Sequence, residues 1–228
     1  MAILSRLGQV LKTDITRELG HKSRKDKVLD RDLLFYMKQR RTIISLGRKV
    51  LYSRDYLSHL IKEAVHCCPS ALNSQSVRVI ILTEKAHSKF WTMVKTVQAK
   101  HLPEHIVESA NMKIDQCMNA YGSVLFFEDL DVIRQLQKQK PLQAAEFAIW
   151  SEQTSGMAQF AVWTALSSAG LGAALHHYNP AIDQATAEMF DLPQSWHFKA
   201  QLVFGSIQKA AVEKYVEEDE TLFRVYHD

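Results

Sequence analysis

The stretch Pro69-Ser70-Ala71-Leu72-Asn73-Ser74-Gln75 joins an amphipathic helix to an apolar strand, Val77-Arg78-Val79-Ile80-Ile81-Leu82. Ser53 is a natural N-cap for that helix, whose apolar stripe is Tyr56, Leu57, Leu60, Ile61, Ala64 and Val65. Pro69 closes it, because proline lacks the N–H and the φ freedom that a helix interior needs. The turn that follows offers a hydroxyl, two side-chain amides and several backbone N–H groups. Such a set suits the edge of a flat heterocycle with alternating donors and acceptors. Serine and asparagine are also ordinary turn residues, so the stretch reads equally as a plain helix-to-strand connection.

Working outward, helices alternate with strands. The spacing predicts a short helix from Leu33 toward Arg40, helices near 84–100 and 104–119, and a strand Ser123-Val124-Leu125-Phe126-Phe127. A helix near 130–139 precedes a long one from Pro141 to about Ser168, carrying few charges. A helix apolar on most sides is buried on most sides, which in a chain this small points to contact with a second subunit. Gly170 and Gly172 end it in a tight turn. A helix near 181–191 then leads to an alternating strand, with Phe198, Ala200, Leu202 and Phe204 expected on one face. Helices outnumber strands and separate them, so the fold class is α+β.

At 228 residues, 46% hydrophobic and 23% charged, the chain suits one globular domain with appendages. The net charge of +3 comes without a basic stripe interleaved with aromatics, so no nucleic-acid partner is expected. No apolar run reaches the roughly 18–20 residues of a membrane span, and the start lacks a secretory core. No stable membrane association is expected. Cys67, Cys68 and Cys117 form neither a zinc spacing nor a Cys-x-x-Cys motif. Reduced thiols and a cytoplasmic setting follow. Residues 1–32 read as an N-terminal extension: either a surface-seeking or address-carrying helix, or a helix packed on the body or on a partner. Residues 33–228 read as the functional domain.

Arg40-Arg41-Thr42 places two forked cations and a hydroxyl within three residues, a set able to clamp a phosphate. Paired arginines also occur on plain solvated faces. His176 and His177 follow Gly170-Leu171-Gly172-Ala173-Ala174-Leu175. Neighbouring residues on an extended segment point to opposite sides, which disfavours joint metal ligation. The segment Trp150–Phe160 and the run His177-Tyr178-Asn179-Pro180 complete the distinctive features.

These segments together resemble the FMN-dependent nitroreductase family, over about 33–228. The resemblance is strongest to its fatty-acid-repression-type and copper-induced branch. It implies a three-layer α/β/α sandwich with a central, mainly antiparallel sheet and a long dimer-interface helix. It also implies a homodimer with FMN at the subunit interface, NADH or NADPH as reductant, and a small-molecule electron acceptor such as a nitroaromatic or quinone. By the same resemblance Arg40 and Thr42, with Arg41 nearby, hold the FMN phosphate. Pro69, Ser70, Asn73 and Gln75 run under the isoalloxazine, and the His176–His177 main chain passes flavin N5 and O4. Lys214 either reaches the phosphate or is solvated. The family pattern continues with Pro-Trp where this chain has Ser76-Val77, so no stacking role carries over. Arg78 either sets a positive charge near flavin N1 or pairs with a surface carboxylate. The cysteines read as packing residues. The alternatives to such an enzyme are a flavin-binding sensor with little turnover, or another flavin reaction such as dehalogenation or flavin destruction.

Overall fold

A computed structural model describes residues 33–227; the expectations for residues 1–32 fall outside them. The chain divides into two compact units, Met1–Gln39 and Arg40–Asp228. Helix α1, Leu33–Gln39, is the described part of the first.

In the second unit, α2 (Arg54–His66) starts where the sequence predicts, with Ser53 Oγ accepting from the Tyr56 N–H at 3.2 Å. After a 3₁₀ turn at Ala71–Asn73 comes β2, Val77–Thr83, then α3 (Glu84–His101) and α4 (Glu104–Met118). Strand β3 is Gly122–Asp129, and α5 is Leu130–Gln139. The long helix is preceded by a 3₁₀ turn at Pro141–Gln143, and α6 itself runs Ala144–Ser168. Gly170, at φ +74°, turns the chain into β4, Gly172–His176. Helix α7 (Asp183–Phe190), strand β5 (Trp196–Ile207) and a short α8 (Asp219–Leu222) follow.

The long β5 organises the sheet. It pairs antiparallel with β3 on one side, and on the other with β4 and the two-residue β1, Leu46–Gly47. Strand β2 pairs antiparallel with β3 and forms one edge. At the opposite edge, Thr42 makes an isolated parallel bridge to Ala173. One face carries α3, α4 and α7, with Phe90, Trp91, Val94 and Ile114 packed on Leu125, Phe127 and Val203. The other carries α2 and α6, with Leu57, Ile61, Ala158 and Val162 packed on Val124, Phe126 and Leu202. This is the expected three-layer α/β/α arrangement.

One face assignment is corrected. Ala200, Leu202 and Phe204 lie together in the α2/α6 layer, but Phe198 packs in the opposite layer, stacked on Phe127 at 4.5 Å. Phe126 pairs with Ala200 and Phe127 with Phe198, so Lys199 is an extra residue in β5. Such a bulge breaks the period-two alternation that the sequence suggests. Among the described residues, no helix is long and apolar enough to cross a membrane.

Candidate functional site

The loop between α2 and β2 is held by its own atoms. Ser70 Oγ accepts from the Gln75 N–H at 3.0 Å, and the Ser70 carbonyl from the Asn73 N–H at 2.9 Å. Leu72, Asn73 and Gln75 have φ of 53°, 54° and 48°. Asparagine tolerates that left-handed region, whereas Leu72 and Gln75 carry local strain. The loop lines two adjoining cavities. One, of about 330 Å³, is bordered by Ser70, Asn73, Gln75 and Arg78 with Cys68 and Thr154. The other, of about 400 Å³, lies between Pro69–Leu72 and Trp150, Gln153 and Met157 of α6. Trp150, Gln153, Thr154 and Met157 share one helical face. Their spacing was the available signal for including them in the site.

Arg78 is committed within the protein. Its Nη1 donates to the Gln75 carbonyl at 2.7 Å and its Nη2 to Asp129 Oδ2 at 2.9 Å. The half-buried guanidinium therefore braces the loop and pairs with a largely buried carboxylate.

Arg40, Arg41 and Thr42 gather at the other sheet edge. The Arg40 guanidinium lies over the Trp163 ring, 4.5 Å from its centroid, with Phe160 at 5.8 Å. Cation–π stacking of this kind fixes the plane of the fork. Arg40 Nε and Trp163 Nε1 are both buried, and among the described residues neither has an acceptor. Burial, and then the neighbouring Arg41, lower the Arg40 pKa from its usual range. Arg41 donates to the Val212 carbonyl, which ties this corner to the segment after β5. Lys214 is exposed two residues further on. Thr42 lies beside Ala173, and the Ile43 N–H donates to the Ala173 carbonyl at 2.9 Å.

Strand alternation separates the two histidines. The Tyr178 N–H turns back toward β5, donating to Gln201 Oε1 at 2.9 Å. The His177 main chain thus faces the open edge beside Thr42, as Ala173 does. The His176 ring is inside, with Nε2 3.4 Å from Cys117 Sγ and the ring 6.0 Å from Trp91. Burial, and then the His177 charge, push its pKa down to about 4, so it is neutral at pH 7. Burial drives the Cys117 thiol up to about 12. All three cysteines are free thiols. Ellman's reagent is expected to modify exposed Cys67 first in the native protein, and Cys117 only on unfolding.

Ser70, Asn73, Gln75 and Arg78 thus share one cavity, and Pro69 lines its neighbour. Arg40, Arg41 and Thr42 form a second cluster, and the His177 main chain faces the same sheet edge four residues beyond Ala173. The sheet order β2-β3-β5-β4-Thr42 puts the two clusters at opposite edges. Those edges are four strand spacings apart, roughly 19 Å at about 4.8 Å each.

The nitroreductase family matches residues 37–206. The chain belongs to the nitroreductase family. Yeast (Saccharomyces cerevisiae) proteins give the same result. HBN1 is 38% identical over 165 residues, 72% of this chain and 79% of HBN1. Nitroreductase FRM2 is 37% identical over 153 residues, 64% of this chain and 73% of FRM2. Among solved structures, nitroreductase CinD from Lactococcus lactis in complex with nicotinic acid superposes with a TM-score of 0.80 at 43% identity, covering 86% of this chain and all of CinD. A more distant fold neighbour from Desulfovibrio desulfuricans, 18% identical with a TM-score of 0.63, was solved in complex with FMN; it covers 87% of this chain and 99% of its own. Family membership makes this chain an oxidoreductase of a group whose members usually depend on flavin.

Proposed function

We propose that this protein is an FMN-dependent oxidoreductase of the cytoplasm. It takes hydride from NADH or NADPH and passes electrons to a small acceptor of nitroaromatic or quinone type. It works as a homodimer, with each FMN between subunits. The observation that carries this reading is the pair of half-sites at opposite sheet edges. One supplies donors for an anion: Arg40 Nε and Trp163 Nε1, buried without acceptors, with the Arg40 charge stacked between. The other supplies the exposed amides of Asn73 and Gln75 beside a cavity that suits a flat ring. A twofold axis that brings one edge of each protomer together would complete two sites.

Further support comes from apolar surface. Ile149, Met157 and Phe160 of α6 are exposed, as are Val212, Tyr215, Phe223 and Tyr226 of the C-terminal segment. This many exposed large apolar side chains suits a subunit interface. The orphaned donors and the amide edge fit FMN. The cofactor, when bound, would supply the hydride and electron transfer itself. The chain's own task is to bind and orient. Arg40, with Arg41 and Thr42 adjacent, would hold the phosphate, and Lys214 would add charge from the tail. Pro69, Ser70, Asn73 and Gln75 would hold the ring, and the His177 main chain would line the open edge. Arg78 braces the loop through Gln75. The neutral, half-buried His176 ring faces Cys117 and Trp91, away from the proposed ring site.

A visible spectrum tests the reading directly. Purified protein is expected to show flavin bands, to release FMN on denaturation, and to oxidise NADH or NADPH when a nitroaromatic or quinone is supplied. A colourless protein that takes up no added FMN would sink the proposal. Bound FMN without nicotinamide oxidation would favour a flavin-binding sensor instead. With one site serving both substrates, double-reciprocal plots at several acceptor concentrations are expected to be parallel; intersecting lines would mean a second site.

A further inference from the structure

Glu128, the penultimate residue of β3, is fully buried (0% exposed), yet among the described residues no cation pairs with it. Its Oε2 accepts from Ser151 Oγ of α6 at 2.7 Å. Its Oε1 has no hydrogen-bond partner, and neither has Ser76 Oγ, which is also fully buried. Ser76 directly follows the Pro69–Gln75 loop, and its carbonyl accepts from the Asp129 N–H at 2.9 Å. The end of β3 therefore grips the loop through several contacts. Asp129 holds Ser76 by main chain and holds Gln75 through Arg78, while Glu128 stands between Ser76 and α6.

The surrounding charges are already engaged. Arg78 is paired with Asp129, and Lys199 of β5 with Glu152 of α6. His197 is the cross-strand neighbour of Glu128 on β5 and is exposed. A buried carboxylate without a cation is strongly disfavoured, and a neutral acid removes the penalty. Burial raises the Glu128 pKa above the usual carboxylate range, against the Ser76 and Ser151 hydroxyls and Lys199, which lower it; Glu152 adds to the rise. Ser76 Oγ stands near enough to the carboxyl to weigh on its pKa without completing a hydrogen bond to it.

We infer that Glu128 is a positioning residue: as the neutral acid between Ser76 and Ser151, it pins the Pro69–Gln75 loop against α6. This rests on reading that loop as an FMN contact. When Glu128 ionises, the loop loosens and FMN affinity falls. The test compares wild type with Glu128→Gln, which keeps the neutral shape at every pH. FMN dissociation constants are measured by fluorescence titration between pH 6 and pH 9. Hydrogen-exchange protection of residues 71–76 is followed in the flavin-free protein over the same range. The two proteins are expected to match below the ionisation of Glu128. Above the ionisation of Glu128 the wild-type dissociation constant should rise, by up to about tenfold per pH unit for one proton, while the variant does not follow. Loop protection should fall with pH in wild type alone. Ser76→Ala should loosen the loop at every pH. Superimposable protection profiles for wild type and Glu128→Gln would overturn the proposal whether or not FMN binds. If protection behaves as expected but FMN is not taken up, the positioning role is supported and the FMN assignment falls instead.

Discussion

Gly156→Leu is expected to yield a monomer that takes up no FMN. Gly156 lies in the middle of α6, where glycine costs about 0.8–1.0 kcal/mol relative to alanine. A Cβ built on it meets nothing within 4 Å among the described residues, so none of these requires the small residue. A close approach by a second chain would. Ile149, Gln153, Gly156 and Phe160 fall at i, i+4, i+7 and i+11, one exposed face of the helix. If that face meets the partner, a leucine there forces the subunits apart and separates the two half-sites. Sedimentation should then give about the chain mass of 26.1 kDa rather than twice that. Wild type at the same concentration should sediment as a dimer. Gly156→Ala is the companion variant: on a free helix surface it should stabilise the protein by about 1 kcal/mol. A leucine variant that remains a flavin-binding dimer would place the interface on another face.

The elements most legible in the sequence were those fixed by neighbours in the chain. The Ser53 cap, the α2 stripe and the β2 run are local patterns, and each appears where expected except that Tyr56, at the start of the stripe, is exposed. What escaped was set at long range. The two residues of β1 carry no pattern of their own and exist because β5 is long enough to pair with them. The Lys199 bulge depends on the register between β3 and β5, so the alternation around Phe198 was misleading. The same holds at the candidate site. The 69–75 turn was readable, but Arg78 finds Asp129 some 51 residues away. The Arg40 stack on Trp163 crosses from a loop to the far part of α6. Sequence gave His176 and His177 equal weight, and only the sheet pairing sends one imidazole into the core beside Cys117 and leaves the other outside. Glu128 carries no sequence pattern of its own. Its importance emerges only from the burial of Ser76 and Ser151 around it.

Arg40→Ala is expected to weaken FMN binding about tenfold or more. A hydrogen bond to a charged group contributes roughly 1.5–3 kcal/mol net, and each 1.4 kcal/mol is about a factor of ten in the dissociation constant. The Arg40 side chain is prepared for that contact. Stacking on Trp163 holds its plane, and its Nε has no acceptor among the described residues to compete with a phosphate. Arg40→Lys separates charge from shape: it keeps the cation but loses the planar fork, so it should recover only part of the affinity. Arg41→Ala is the internal comparison. That guanidinium already donates to the Val212 carbonyl, so its removal should cost less affinity and should free the C-terminal segment. Titration of flavin-free protein with FMN, followed by flavin fluorescence, gives all three constants. The loss in Arg40→Ala should shrink as salt is raised, because screening weakens the attraction that wild type retains. An unchanged constant in Arg40→Ala would move the phosphate away from this edge of the sheet. The orphaned donors of Arg40 and Trp163 would then need another anion to explain them.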